Sequence, residues 1–146
     1  MVWPFKRKLP DQEYIAMFRK FLATHQEVTA NLTTSSQGEG IATLIAQEKE
    51  FHRVLPQREL YRPLHRALDK TVRVQLMLAM YRMRAGDALD EFSRTGDAGK
   101  QSEFINLSKR ADLCQHWAEE SLAECLRRME ALPESDPIRL IAEAES

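Results

Sequence analysis

One stretch constrains the fold more than any other. From Leu64 to Phe92 the chain runs nearly thirty residues with no Pro after Pro63 and a single Gly, Gly86. It is filled with good helix formers, so it reads as one long helix. Its middle, Leu76-Met77-Leu78-Ala79-Met80-Tyr81, is apolar all round. Such a helix needs cover on every side, from its own bundle or from another chain.

The neighbouring segments have the same period. Tyr14, Phe18, Phe21, Leu22, His25, Val28 and Leu32 recur at threes and fours, which predicts a first helix from Asp11 to about Asn31. The run Thr33-Thr34-Ser35-Ser36-Gln37-Gly38-Glu39-Gly40 reads as a loop. A second helix is expected from about Ile41 to Leu55, with a stripe of Ile41, Leu44, Glu48, Phe51 and Leu55, ending at Pro56. Pro63 belongs in the first turn of the long third helix, where its missing N–H costs little. A loop over Ser93–Lys100 then reverses the chain.

The fourth helix, from about Gln101 to Leu132, carries Phe104, Leu107, Ala111, Cys114, Ala118, Leu122, Cys125, Met129 and Leu132 on one stripe. Helices three and four therefore form a long antiparallel hairpin. Pro133 stops the fourth, and Asp136-Pro137 opens a short C-terminal helix to about Ala144, with an acidic tail. The expected fold is a single all-α domain over 1–146, an antiparallel bundle of four main helices plus a short fifth. The apolar heptad is uneven along helix three, which favours a compact bundle over an isolated parallel coiled coil.

The formal charge of -1 hides an asymmetry. The first 73 residues hold 12 Lys/Arg against 8 Asp/Glu, and the remainder hold 9 against 14. Part of that excess is a basic ridge, Arg58, Arg62, Arg66, Lys70 and Arg73, which suits an anion or nucleic acid or pairs with acids such as Glu119, Glu120 and Glu124. Met1-Val2-Trp3-Pro4-Phe5-Lys6-Arg7-Lys8 combines aromatics with cations, so Trp3, Phe5, Lys6, Arg7 and Lys8 could make a weak peripheral membrane contact. No window is long and apolar enough for a transmembrane segment, and no signal-peptide pattern is present. Cys114 and Cys125 lie three turns apart on one helix, roughly 16 Å, too far for a mutual disulfide. A reducing, cytoplasmic setting is expected.

Catalytic templates fit poorly. Gly96-Asp97-Ala98-Gly99-Lys100 has the wrong glycine spacing for a phosphate-binding loop, and no strand precedes it. Neither Cys has a cationic neighbour placed to activate it. Nothing points to a nucleotide cofactor, and no cofactor is expected. Glu48/His52, His65/Asp69, Asp112/His116 and His116/Glu120 are imidazole–carboxylate pairs at i,i+4, a spacing that puts two metal ligands on one helix face, although 22 acids and four His make such pairs expected by chance. The Glu-x-x-His spacing of di-iron bundles is absent. His25, Glu48 and His52 make the best candidate metal set.

Arg19/His25 and Arg110/His116 are each six residues apart, a spacing loosely similar to the R-x4-6-H motif of HEPN-type helical ribonucleases. The resemblance implies an Arg that binds phosphate and a His that moves protons, with Arg110 and His116 as the candidates. The polar residue that follows the Arg in that family is replaced by Lys20 or Ala111.

Protein interaction has the broadest support. Met77, Met80 and Tyr81 supply an adaptable apolar surface on helix three, and Leu113 and Trp117, four apart on helix four, project away from its main stripe. These five are the expected partner-binding residues. The leading expectation is a non-enzymatic adaptor or accessory subunit that forms a homodimer through helix three or four. An RNA-binding or HEPN-like module is the alternative, and a metal-binding bundle the third.

Overall fold

A computed structural model describes residues 11–29 and 34–145. It contains α1 (Asp11–Thr29), α2 (Thr34–Val54), α3 (Arg62–Thr95), α4 (Ala98–Glu130) and α5 (Pro137–Glu145), with 3-10 turns at Leu55–Gln57 and Glu59–Tyr61. The all-α bundle built on a long hairpin is thus the observed fold. The aromatic and cationic segment Trp3 to Lys8 lies outside the described residues.

Local chemistry explains the boundaries. Asp11 and Glu13 occupy the first turn of α1, where the helix dipole favours negative charge. Pro63 sits in the first turn of α3. Where a loop over 93–100 is expected, only Gly96 and Asp97 separate α3 from α4. Gly96 takes φ +69°, the left-handed conformation that closes a helix, and its N–H donates to Phe92 O at 2.7 Å. Asp97 then caps α4 by accepting from the Gly99 N–H at 2.8 Å.

The expected loop at Thr33–Gly40 is corrected more fully, because Thr34–Gly40 forms the first turns of α2. Two glycines cost about 1 kcal/mol each in a helix interior, but extending an anchored helix is far easier than nucleating one. Leu44, Phe51, Val54 and Leu55 supply the anchor, all essentially inaccessible to solvent.

α1 and α2 are antiparallel. Phe18 and Phe21 meet Phe51 at centroid distances of 6.0 and 5.6 Å, and Gln47 Nε2 donates to Thr24 Oγ1 at 3.0 Å. α1 runs parallel to α3, from the Tyr14–Tyr61 ring contact at 5.3 Å to the His25–Gln75 hydrogen bond. The antiparallel α3/α4 register is marked by Thr71 Oγ1 and Cys125 Sγ at 3.1 Å, Arg82 Nη2 donating to Gln115 Oε1 at 2.7 Å, and Lys100 Nζ to Glu91 Oε2 at 2.9 Å.

Lengths then decide where the core ends. At 1.5 Å per residue α1 and α2 are roughly 30 Å long and α3 about 51 Å, so the hairpin outreaches the layer packed on it. The continuous core includes Leu64, Leu68, Val72, Leu78 and Ala79 of α3 with Ala111, Cys114, Cys125 and Met129 of α4, and Ile138, Ile141 and Ala142 of α5 close its end. From 85 to 110 only Ala85 and Ala88 are buried, at the small-residue contact of a two-helix stalk.

Candidate functional site: the open face of the hairpin

α1 and α2 cover one flank of α3, and α4 covers the adjoining one. The remaining flank carries Arg66, Lys70, Arg73, Met77, Met80, Arg84, Asp87 and Glu91, all exposed except Glu91, which is half-exposed. Their intervals alternate four and three, the spacing of a seam on which a second helix can lie. The stripe is cationic at its start, apolar at its centre and acidic at its end.

The apolar centre answers the expectation that residues 76–81 need cover all round. Leu78 and Ala79 are buried and Leu76 is half-buried, while Met77 and Met80 remain 40% and 46% exposed. Tyr81 turns toward the core, and the Arg110 guanidinium lies 6.0 Å from its ring centroid. It is therefore less available to a partner than Met77 and Met80.

Beside the stripe, α3 and α4 enclose a groove of about 770 Å³ lined by Lys70, Val74, Trp117, Glu120, Ser121 and Glu124, among others. Trp117 is 42% exposed and Leu113, one turn before it, 48%. Four of the five expected partner-binding residues thus stand open on the hairpin, on two neighbouring helices.

The basic ridge divides. Arg58 lies before α3 and braces the start of that helix. Its Nη2 donates to Asp11 Oδ1 at 2.7 Å, its Nη1 to the Tyr61 hydroxyl at 3.1 Å, and the guanidinium stacks 4.3 Å over Tyr14. Arg73 pairs with Asp69 at 3.2 Å. Arg62, Arg66 and Lys70 have no ion pair with a carboxylate among the described residues. Glu124, an expected neighbour of the ridge, is instead held by Arg127 at 2.5 Å and Arg128 at 3.0 Å, which lower its pKa.

The candidate ribonuclease pair is not brought together. Arg110 and His116 sit on one continuous helix about 120° apart around its axis. Arg110 faces Tyr81, and His116 pairs with Glu120 at 3.0 Å in the open. The candidate metal set is split as well. Glu48 and His52 meet Asp69 and His65 of α3, whereas His25 hydrogen-bonds to Gln75 and is held down to about 4 by burial, against a smaller raising effect of Glu119. Cys114 and Cys125 are free and buried; burial raises both, Cys125 to about 11, so neither is an available thiolate.

No helix among the described residues is long and apolar enough to cross a membrane. Comparison with protein-family models, curated proteins and solved structures returns no match to this chain.

Proposed function

We propose that this chain is a non-enzymatic interaction protein, an accessory or adaptor subunit, whose α3 stripe is covered by a second copy of itself. The observation that carries this reading is the order of side chains along the stripe. An antiparallel copy that sets Met77 against Met80 also sets Lys70 against Asp87 and Arg66 against Glu91. The apolar centre is then covered twice, and each charged end meets its opposite, which is the self-complementarity a twofold interface requires. Arg73 faces Arg84 in this register, an unfavourable pair softened by Asp69 on Arg73. The Trp117 groove adjoins the seam and provides the wider contact that a stable dimer needs. Buried, unbridged thiols suit a reducing compartment such as the cytoplasm.

Sedimentation equilibrium over a wide concentration range tests the reading. A dimer is expected that shifts to monomer in Met77→Glu/Met80→Glu without loss of helicity, since both side chains are exposed. A monomer at every concentration removes it. Salt-sensitive RNA binding through Arg62, Arg66 and Lys70 by such a monomer would favour the nucleic-acid alternative.

A further inference from the structure

α2 and α3 each present an imidazole and a carboxylate four residues apart, Glu48/His52 and His65/Asp69, and i,i+4 spacing puts each pair on one helix face. Antiparallel packing brings the pairs together head to tail, so Glu48 lies toward Asp69 and His52 against His65. His52 is the centre. Its Nε2 is 3.2 Å from Asp69 Oδ1 and 3.6 Å from Glu48 Oε1, and its Nδ1 is 3.0 Å from His65 Nε2. The two rings stand edge to face with centroids 4.7 Å apart.

We infer that Glu48, His52 and Asp69 form a binding site for a divalent transition-metal cation of the zinc class, with His65 holding His52 from behind and water completing the coordination. Zinc bonds of about 2.0–2.2 Å place tetrahedral ligands roughly 3.3–3.5 Å apart. Two of the three donor separations are already close to that range, and all three donor atoms lie within 4.8 Å of one another. Small side-chain movements complete the set. Arg73 engages Oδ2 of Asp69 at 3.2 Å, which leaves Oδ1 for the ion.

His65 supplies the hydrogen bond on the far ring nitrogen that orients a metal-binding His. Only one proton fits between His52 Nδ1 and His65 Nε2. Without an ion, His65 Nε2–H donates to His52 Nδ1 while His52 Nε2–H donates to Asp69. With an ion on Nε2, the His52 proton resides on Nδ1 and is donated to His65, whose own proton moves to its Nδ1. One nitrogen and two carboxylate donors suit Zn²⁺, Co²⁺ or Mn²⁺ rather than a thiophilic ion. The ion would clamp α2 to α3 and stabilise the folded state by mass action.

The test is ZnCl2 titration of purified, tag-free protein, read by calorimetry and by thermal unfolding, with far-UV circular dichroism to confirm the fold of each variant. One ion per chain is expected, with a melting temperature that rises with Zn²⁺ and returns on adding EDTA. His52→Ala and Asp69→Asn should weaken binding by at least about tenfold, and His65→Ala by about 10–100-fold. His116→Ala, which removes the exposed His116–Glu120 pair, should change nothing. Glu48→Gln replaces any variant that unfolds. Co²⁺ added to the wild type should give visible ligand-field bands that Zn²⁺ displaces. The proposal is overturned if the wild type binds no ion and gives no such bands, or if binding survives both His52→Ala and Asp69→Asn.

Discussion

The Tyr61 hydroxyl sits 2.9 and 3.0 Å from the two carboxylate oxygens of Asp136, joining residues 75 positions apart in a buried contact. Asp136 Oδ1 also accepts the Ile138 N–H at 2.9 Å, so the same side chain caps α5. Arg58 donates to the Tyr61 hydroxyl from the other side, and Ile138 is fully buried. α5 is thereby fixed to the turn that opens α3. Burial, followed by the hydrogen bond to Asp136, raises the Tyr61 pKa, so the hydroxyl keeps its proton and remains a donor.

Tyr61→Phe keeps the ring and removes that donor. Leaving a buried carboxylate short of a partner costs about 1–3 kcal/mol, so the urea-unfolding free energy should fall by that amount. Hydrogen exchange should quicken first in α5. An unchanged unfolding midpoint would show that Asp136 finds another donor.

Arg58 combines a carboxylate bond, a hydroxyl bond and stacking on Tyr14, and only a planar guanidinium makes all three. Arg58→Lys should therefore destabilise nearly as much as Arg58→Ala. Thermal melts of both variants check this; recovery of wild-type stability by Lys would reduce the role of Arg58 to its charge.

His25 gives the fold a pH dependence with a definite sign. Its folded pKa is about 4 against the ordinary 6.5, so between these values the unfolded chain takes up a proton that the folded chain refuses. The stability present above pH 6.5 should fall as pH drops to 4 and level off below, a loss on the order of 3 kcal/mol. Denaturant titrations across that window measure the slope, and His25→Gln should flatten it.

At the hairpin tip, Gly96 holds φ +69°, and apart from its immediate chain neighbours nothing lies within 4 Å of where a Cβ would be. Gly96→Ala has space but not a comfortable backbone, and should cost about 1 kcal/mol. Gly96→Asn, better suited to the left-handed region, should cost less in the same thermal melt.

Much of this architecture is legible in the residues. The α4 stripe is read correctly at Ala111, Cys114, Ala118, Cys125 and Met129, all buried, because one apolar face at helical period has one physical solution. Gly38 and Gly40 point to a loop that does not form, since local propensity yields to anchoring further along α2. The meeting of Glu48/His52 with His65/Asp69 is not legible as a unit. Each pair is visible by spacing, but their juxtaposition depends on the α2/α3 register. Likewise Arg58 continues the basic ridge by spacing alone, and the 3-10 turns before α3 direct it to Asp11 and Tyr61 instead. Met77, Met80 and Tyr81 stand out together in the sequence, and only the packing of Tyr81 toward the core separates it from the two methionines.

Cysteine cross-linking along α3 tests the self-association most directly. Cys114 and Cys125 are buried, so an introduced thiol at the surface is the reactive one. In the antiparallel register, position 77 lies opposite position 80 of the partner and so within roughly 4.5 Å along the axis of its own twin, while the twins at position 66 are about 38 Å apart. A short bis-maleimide should therefore couple Met77→Cys chains into a covalent dimer and leave Arg66→Cys monomeric. It should also couple Arg66→Cys to Glu91→Cys when the two variants are mixed. No covalent dimer from Met77→Cys, or equally efficient coupling at Arg66→Cys, would contradict the antiparallel seam.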